Sequence, residues 1–285
     1  ANVIKIKKGL DINLKGKASD VLLNGGKSES YAIVPDYYNG ILPKVVAKVG
    51  EKVKAGSVLM IDKNRPEIKF VSPVSGEVTA VNRGEKRKVL SIVVKPDAQI
   101  EYEEFGKKNV ASLQGAEVKE VLLNAGMWPF IKQRPYDIVA APLDTPRDIF
   151  VSAFYSAPLA PNFDFIVKGQ EADFQTGLNA LAKLTNGKVY VGVRSGSVVS
   201  GMKGVEIVEV EGPHPAANVG VQINHIKPVN KGEVVWTVNP ADVIVIGRLF
   251  NKGVADFSRM VAITGSETTE RGYVKTISGC TIKSL

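Results

Sequence analysis

The stretch Gly40-Ile41-Leu42-Pro43-Lys44-Val45-Val46-Ala47-Lys48-Val49-Gly50-Glu51-Lys52-Val53-Lys54-Ala55-Gly56-Ser57-Val58-Leu59-Met60 is a train of short segments broken at glycines. A similar phrase restarts at Ser72-Pro73-Val74-Ser75-Gly76-Glu77-Val78-Thr79-Ala80-Val81-Asn82-Arg83-Gly84-Glu85-Lys86 and ends in Val89-Leu90-Ser91-Ile92-Val93-Val94. Short apolar runs bounded by turn residues are strands, and glycine supplies the positive backbone angles of tight corners. A quasi-repeat of about 35 residues with glycine at its corners predicts a small two-sheet sandwich of duplicated halves.

These residues resemble the biotinyl/lipoyl carrier fold, the barrel-sandwich hybrid. In carriers a lysine projects from a hairpin tip shortly before the serine of the Ser-Pro-Val phrase. Here that position is Arg65, followed by Pro66. Arginine stays protonated and is a poor acylation nucleophile, and Lys63 and Lys69 are out of register. The expectation is the carrier fold with no group bound covalently.

Working outward, Val3-Ile4-Lys5-Ile6-Lys7 alternates like a half-buried strand and Asn24-Gly25-Gly26 signals a turn. On the other side a charged connector leads to a short helix over 117–124, closed by Ala125-Gly126. Residues 148–155 read as a buried strand. Residues 171–186 read as an amphipathic helix, with Phe174, Leu178, Leu181 and Thr185 on one face and Asn186-Gly187 as a left-handed stop. Strands come next at 189–193 and 205–210, then a helix over 215–226 with Pro215 in its first turn. This order predicts an open, Rossmann-like α/β sheet. After 233–238, Asn239-Pro240-Ala241-Asp242 opens a helix through Phe250, and a new β segment begins at 259–265. Gly279-Cys280-Thr281-Ile282-Lys283 reads as an entering strand.

The expected fold class is α+β and multidomain. Residues 1–36 form extended strands packing on the later domains, 37–100 the barrel-sandwich hybrid and 101–230 the Rossmann-like α/β domain. Residues 231–285 start a β-grasp-like domain. The chain opens on Ala1 and breaks off within a strand pattern, so a C-terminal part is expected to be missing.

The chain has 285 residues, a length that suggests roughly two domains. Hydrophobic residues at 44% and charged residues at 23% are ordinary globular usage. A single cysteine, Cys280, excludes an internal disulfide framework and a multi-cysteine iron–sulfur site. His214 and His225 alone do not make a histidine-rich metal centre. Apolar stretches such as 138–143 reach six residues, far short of the roughly 20 of a membrane span. The opening is lysine-rich and alternating, unlike a signal peptide. A soluble, intracellular protein is expected.

Net charge is +8, and its distribution is uneven. Residues 44–95 hold twelve basic and five acidic side chains, whereas 126–285 hold sixteen and fourteen. A solvated lysine face accounts for this, as do anionic lipid headgroups beside a membrane partner or an acidic protein surface. Nucleic acid is disfavoured, because no helix-turn-helix, zinc finger or aromatic-plus-basic strand motif accompanies the charge.

No Gly-x-Gly-x-x-Gly joins a strand to a helix, so a standard flavin or nicotinamide site is not supported. Gly192-Val193-Arg194-Ser195-Gly196-Ser197 is either an anion-cradling loop or a glycine-rich surface loop. Gly212-Pro213-His214-Pro215-Ala216-Ala217-Asn218 lies between a strand end and a helix start, where open sheets place ligands. His214 there is either a ligand contact or a cap in a stiff turn. Met127-Trp128-Pro129-Phe130-Ile131-Lys132-Gln133-Arg134-Pro135-Tyr136 packs aromatic rings and cations together. Its rings suit a planar ligand, with Arg134 or Tyr136 bonding a carbonyl and Tyr37-Tyr38 joining. The alternative is a linker whose aromatics pin two domains.

With the opening Val3-Ile4-Lys5-Ile6-Lys7-Lys8-Gly9-Leu10-Asp11, the carrier-like module without its lysine, Trp128-Pro129-Phe130 through Arg134-Pro135-Tyr136, and Gly212-Pro213-His214-Pro215, the whole chain resembles the A subunits of the bacterial sodium-translocating NADH:quinone oxidoreductases. The likeness extends weakly to the C subunit of Rnf-type complexes and to the flavin-binding subunit of respiratory complex I. It implies a complex that oxidises NADH, reduces quinone to quinol and exports sodium. This chain would be a peripheral member on the cytoplasmic face of the inner membrane, docked on the membrane-embedded B subunit. Flavins, iron–sulfur centres and the NADH site would belong to other subunits. The family's link to quinone carries over to Trp128, Phe130, Arg134 and Tyr136. Two competing expectations are a stand-alone oxidoreductase with a degenerate nucleotide pocket at Arg194, Ser195 and His214, and an acyl-carrier relative.

Overall fold

The computed structural model describes residues 2–23, 28–268 and 270–277. The expected turn at Asn24-Gly25-Gly26 and the expected strand at Gly279–Lys283, with Cys280, lie outside the described residues.

The two glycine-cornered phrases form a sandwich. One sheet has the antiparallel order Tyr31–Ile33, Val89–Pro96, Gly76–Arg83, Lys52–Val53, and the other has the order Pro43–Val45, Val58–Asp62, Lys69–Val71. Alternate residues such as Leu59, Phe70, Val78, Ile92 and Val94 point inward and are buried. Gly76 is required by close approach, since a Cβ there would lie 1.9 Å from the Lys95 carbonyl oxygen. At the tip after Arg83 the corner differs from expectation. Gly84 has φ −102°, and the left-handed angles fall on Lys86 (53°) and Arg87 (62°).

A seven-stranded sheet forms the second body. Its order is Asn2–Lys5, Glu206–Glu211, Val189–Val193, Ile149–Ser152, Val235–Val238, Ile131–Arg134, Ile138–Val139. The first five strands are parallel. Ile131–Arg134 runs antiparallel to Val235–Val238, and Ile138–Val139 antiparallel to Ile131–Arg134. The helices are α1 (Gly115–Asn124), α2 (Phe163–Val167), α3 (Glu171–Ala182), α4 (Val219–Ile226) and α5 (Pro240–Lys252). Phe174, Leu178 and Leu181 of α3 and Val243, Ile246 and Phe250 of α5 share a core with Ile149, Val151, Trp236 and Val238 on one sheet face. Ile223 of α4 covers Phe150 and Val235 on the other. A three-stranded sheet of Ser258–Ile263, Gly272–Ile277 and Leu22–Leu23 completes the described fold.

Three local expectations are corrected. Helix α3 stops at Ala182 rather than Asn186. Gly187 serves packing instead, because a Cβ there would meet the Arg147 carbonyl oxygen at 1.9 Å. Helix α4 starts at Val219, with the Asn218 side chain accepting from the Val221 amide, so Pro215 lies in the preceding turn. Val235–Val238 and α5, expected in a separate later unit, belong to the seven-stranded sheet and its helical cover. All four residues of that strand are buried between neighbours on both sides. Among the described residues no helix is long and apolar enough to cross a membrane.

Candidate functional site

Where the sandwich meets the α/β body, a cleft of about 250 Å³ opens. Tyr37, Tyr38 and Phe70 line it from the sandwich side, Phe130 and Lys132 from the aromatic segment, and Phe257 from just before the strand Ser258–Ile263. Pro35 starts the short turn that carries Tyr37, and Pro129 lies in the one that carries Phe130. Tyr38 meets Phe70 edge-on at 4.8 Å, and Phe130 meets Phe257 edge-on at 6.0 Å. Such rings offer flat apolar walls.

Polar groups sit on this wall. Lys132 Nζ lies 4.8 Å from the centre of the Tyr38 ring and donates to the Pro129 carbonyl at 2.9 Å. Arg259 Nη2 donates to Asp242 Oδ1 at 3.1 Å, and Arg259 Nε–H is buried without an acceptor among the described residues. Burial raises the Asp242 pKa against the pull of Arg259 and Lys132. Burial lowers that of Lys132, opposed by Asp242 and Asp137. Nearby, burial and then Asp242 push the Tyr155 phenol up to about 12. The cleft thus offers stacking surfaces, buried N–H donors and a carboxyl biased toward its neutral form.

Of the four residues expected to hold a planar ligand, Phe130 and Arg134 line one cavity, and Trp128 and Tyr136 stand apart from it. Trp128 is fully buried, donates Nε1–H to the Ala140 carbonyl at 2.8 Å and packs edge-on against Trp236. Tyr136 is 81% exposed on the hairpin after Arg134. Phe130 lines the cleft together with Tyr37 and Tyr38, and Arg134 lines a neighbouring cavity. Asp242 and Arg259 are invisible as a pair in the sequence. Asp242 reads only as a first-turn acid of α5, and its partner is on the strand Ser258–Ile263. Lys132, within the aromatic segment, is the one available signal.

Around Arg194 the structure gives a different account. Its Nη1 and Nη2 donate to the carbonyls of Val210 (3.1 Å) and Gly212 (2.7 Å), and its guanidinium covers the Phe154 ring. Ser195 is exposed. His214 Nδ1 lies 3.0 Å from Ser156 Oγ, and its amide donates to Asp11. Arg194 borders a polar cavity of about 440 Å³ whose walls do not include Ser195 or His214. Among the described residues no group of three or more His, Cys, Asp or Glu is placed to hold a metal.

Fold and cleft define a class of protein: a carrier-type sandwich without the carrier lysine, joined through an aromatic seam to a mostly parallel α/β sheet. Residues 4–97 match the NqrA N-terminal barrel-sandwich hybrid domain and residues 113–255 the NqrA second alpha/beta domain. The chain belongs to the NqrA family. It is 38% identical over 288 residues to the A subunit of the Na(+)-translocating NADH-quinone reductase of Hahella chejuensis, covering 99% of this chain and 64% of that protein. It is 36% identical over 287 residues to the subunits of the same name from Neisseria meningitidis serogroup A and Photorhabdus laumondii, with the same coverage. The chain therefore spans 64% of the length of these relatives.

Proposed function

We propose that this chain acts as the NqrA component of a sodium-pumping NADH:quinone reductase, in which NADH oxidation and reduction of quinone to quinol drive Na+ export. It sits peripherally on the cytoplasmic face of the membrane, docks on the membrane-embedded B subunit and the other subunits, and leaves flavins, iron–sulfur centres and NADH to them. The likeness to NqrA proteins along nearly the whole chain is the observation that carries this reading. On it the α/β body is a Rossmann-like scaffold without a nucleotide, and the third sheet begins a β-grasp-like domain. The quinone head enters the cleft of Tyr37, Tyr38, Phe70, Phe130 and Phe257. There the rings stack on it, and Lys132 and Arg259 donate to its oxygens.

Two experiments test this. NADH-driven quinone reduction by the complex reconstituted with and without this chain is expected to need it, and equal rates would discard the reading. A photoreactive quinone analogue is expected to label the segments around Tyr38 and Phe130. Label confined to the B subunit would discard the cleft.

A further inference from the structure

In the seven-stranded sheet the chain leaves Ile149–Ser152 toward Val189–Val193 on one side. After Glu206–Glu211 it returns through α4 to Val235–Val238 on the other side. The strand order therefore reverses between Ile149–Ser152 and Val235–Val238. Open α/β sheets hold ligands at the carboxyl ends of their strands; here α3 and α5 both leave those ends toward one face, and a crevice opens on the α4 side. Here the crevice is a cavity of about 270 Å³. Ser152 and Tyr155 line it from the first strand end, Thr237 and Asn239 from the second, Arg134 from the antiparallel neighbour and Phe130 from the turn before that strand.

Arg134 is the unusual wall. Its side chain is 28% exposed, its Nε–H is buried without an acceptor, and its guanidinium makes no hydrogen bond among the described residues. The one ion-pair partner among them, Asp137 Oδ1, stands 3.6 Å away and is half exposed. The guanidinium reaches the start of α4, where a Cβ at Gly220 would lie 3.4 Å from Arg134 Nη1 and 3.1 Å from Asn218 Oδ1. The other charges on the cavity are accounted for. Asp242 is paired with Arg259, and Lys132 donates to the Pro129 carbonyl. A buried guanidinium nitrogen without an acceptor is costly unless a ligand supplies one.

We propose that this crevice binds a small polar oxyanion, a phosphate monoester or a carboxylate, whose anionic group accepts hydrogen bonds from Arg134. The site is separate from the quinone cleft, although the two share the walls of Phe130, Lys132 and Asp242. It stands whether or not quinone binds this chain.

Calorimetric titration of the full chain at low ionic strength with ribose 5-phosphate, ribonate and ribose tests it. Saturable binding of at least one of the two anions and none of ribose is expected, and which anion binds identifies the group. Arg134→Gln is expected to weaken that binding roughly tenfold or more, because it removes a charge-assisted bond. In the ¹⁵N-labelled wild-type chain the anion is expected to shift the amides of 152–155, 219–220 and 237–239. No saturable anion binding, equal affinity in Arg134→Gln, or shifts confined to other parts of the chain would each overturn the proposal. The amide map reads on wild-type protein, so it decides the matter even if the variant misfolds.

Discussion

Arg65 occupies the place from which a carrier would present its lysine, and its surroundings explain why nothing is presented. Its Nε donates to Asp62 Oδ2 at 3.0 Å, and its other nitrogens face the carbonyls of Val139 and Gly40 at 3.5 Å. Asp62, 1% exposed, also accepts from the amides of Leu42 and Asn64. The tip is folded onto the α/β body. Arg65→Lys is therefore expected to show an unchanged intact mass after incubation with a lipoyl or biotinyl ligase and its cofactors; a cofactor-sized increase would refute the packing argument. Asp62→Ala leaves the Arg65 Nε–H and two amides without an acceptor. It is expected to lower unfolding free energy by about 3 kcal/mol in urea titrations, and a loss near zero would mean that water replaces the carboxylate. At Asp242 the sign of the pH effect comes from burial. Its folded pKa is raised, so the native state holds the proton more tightly than the unfolded chain. The associated stability is complete below the ordinary carboxylate range and is lost as pH rises through the raised value. Asp242→Asn is expected to flatten the fall of stability from about pH 4 toward neutrality, and an unaltered slope would contradict that.

Helices α3 and α5 cross where each offers a glycine to the other's backbone. A Cβ at Gly177 would lie 2.1 Å from the Val243 carbonyl oxygen, and one at Gly247 would lie 1.7 Å from that of Asp173. Alanine gains about 1 kcal/mol of helix propensity over glycine, but forcing the helices apart costs about 1–3 kcal/mol or more. Gly177→Ala and Gly247→Ala are expected to be less stable than the parent in urea titrations; an increase would show that the contact yields easily. The same two helices mark what the sequence made legible. The apolar spacing of Phe174, Leu178 and Leu181 and the opening Asn239-Pro240 are local signals, and both helices lie where those signals put them. Helix α3 ends at Ala182, and Gly187 beyond it is required by its contact with Arg147, a tertiary fact that imitates a helix stop. Trp128 is open to either reading, because an indole suits a core as well as a ring-stacking wall, and Ala140 and Trp236 decide for the core. Tyr37, Tyr38 and Phe130 are legible as candidates by residue type. Arg259 is not, since its place beside Asp242 depends on how the strand Ser258–Ile263 packs against the start of α5.

Across the whole molecule one apolar core runs from Leu59, Phe70 and Ile92 of the sandwich through Trp128 to Phe174 and Phe250 of the α/β body. The seam is close. The Val139 amide donates to the Asn39 carbonyl at 3.0 Å, and Gly126, with φ 70°, leaves no room for a Cβ against Val71. A shared core couples the unfolding of its parts. Calorimetry of the chain is expected to give a single endotherm with matching calorimetric and van't Hoff enthalpies. Two resolved transitions would show that the sandwich and the sheet melt separately.

The edge strand Asn2–Lys5 pairs in parallel with Glu206–Glu211, Asn2 lying opposite Val208. During synthesis these residues leave the ribosome well before their partner, and their slot does not exist until the whole sandwich and most of the sheet have been made. Long-range pairing of this kind closes slowly, and an unpaired strand is a hazard while it waits. An early-translated segment is thus among the last to be placed, so that ribbon stays unpaired in the nascent polypeptide until Glu206–Glu211 has been made.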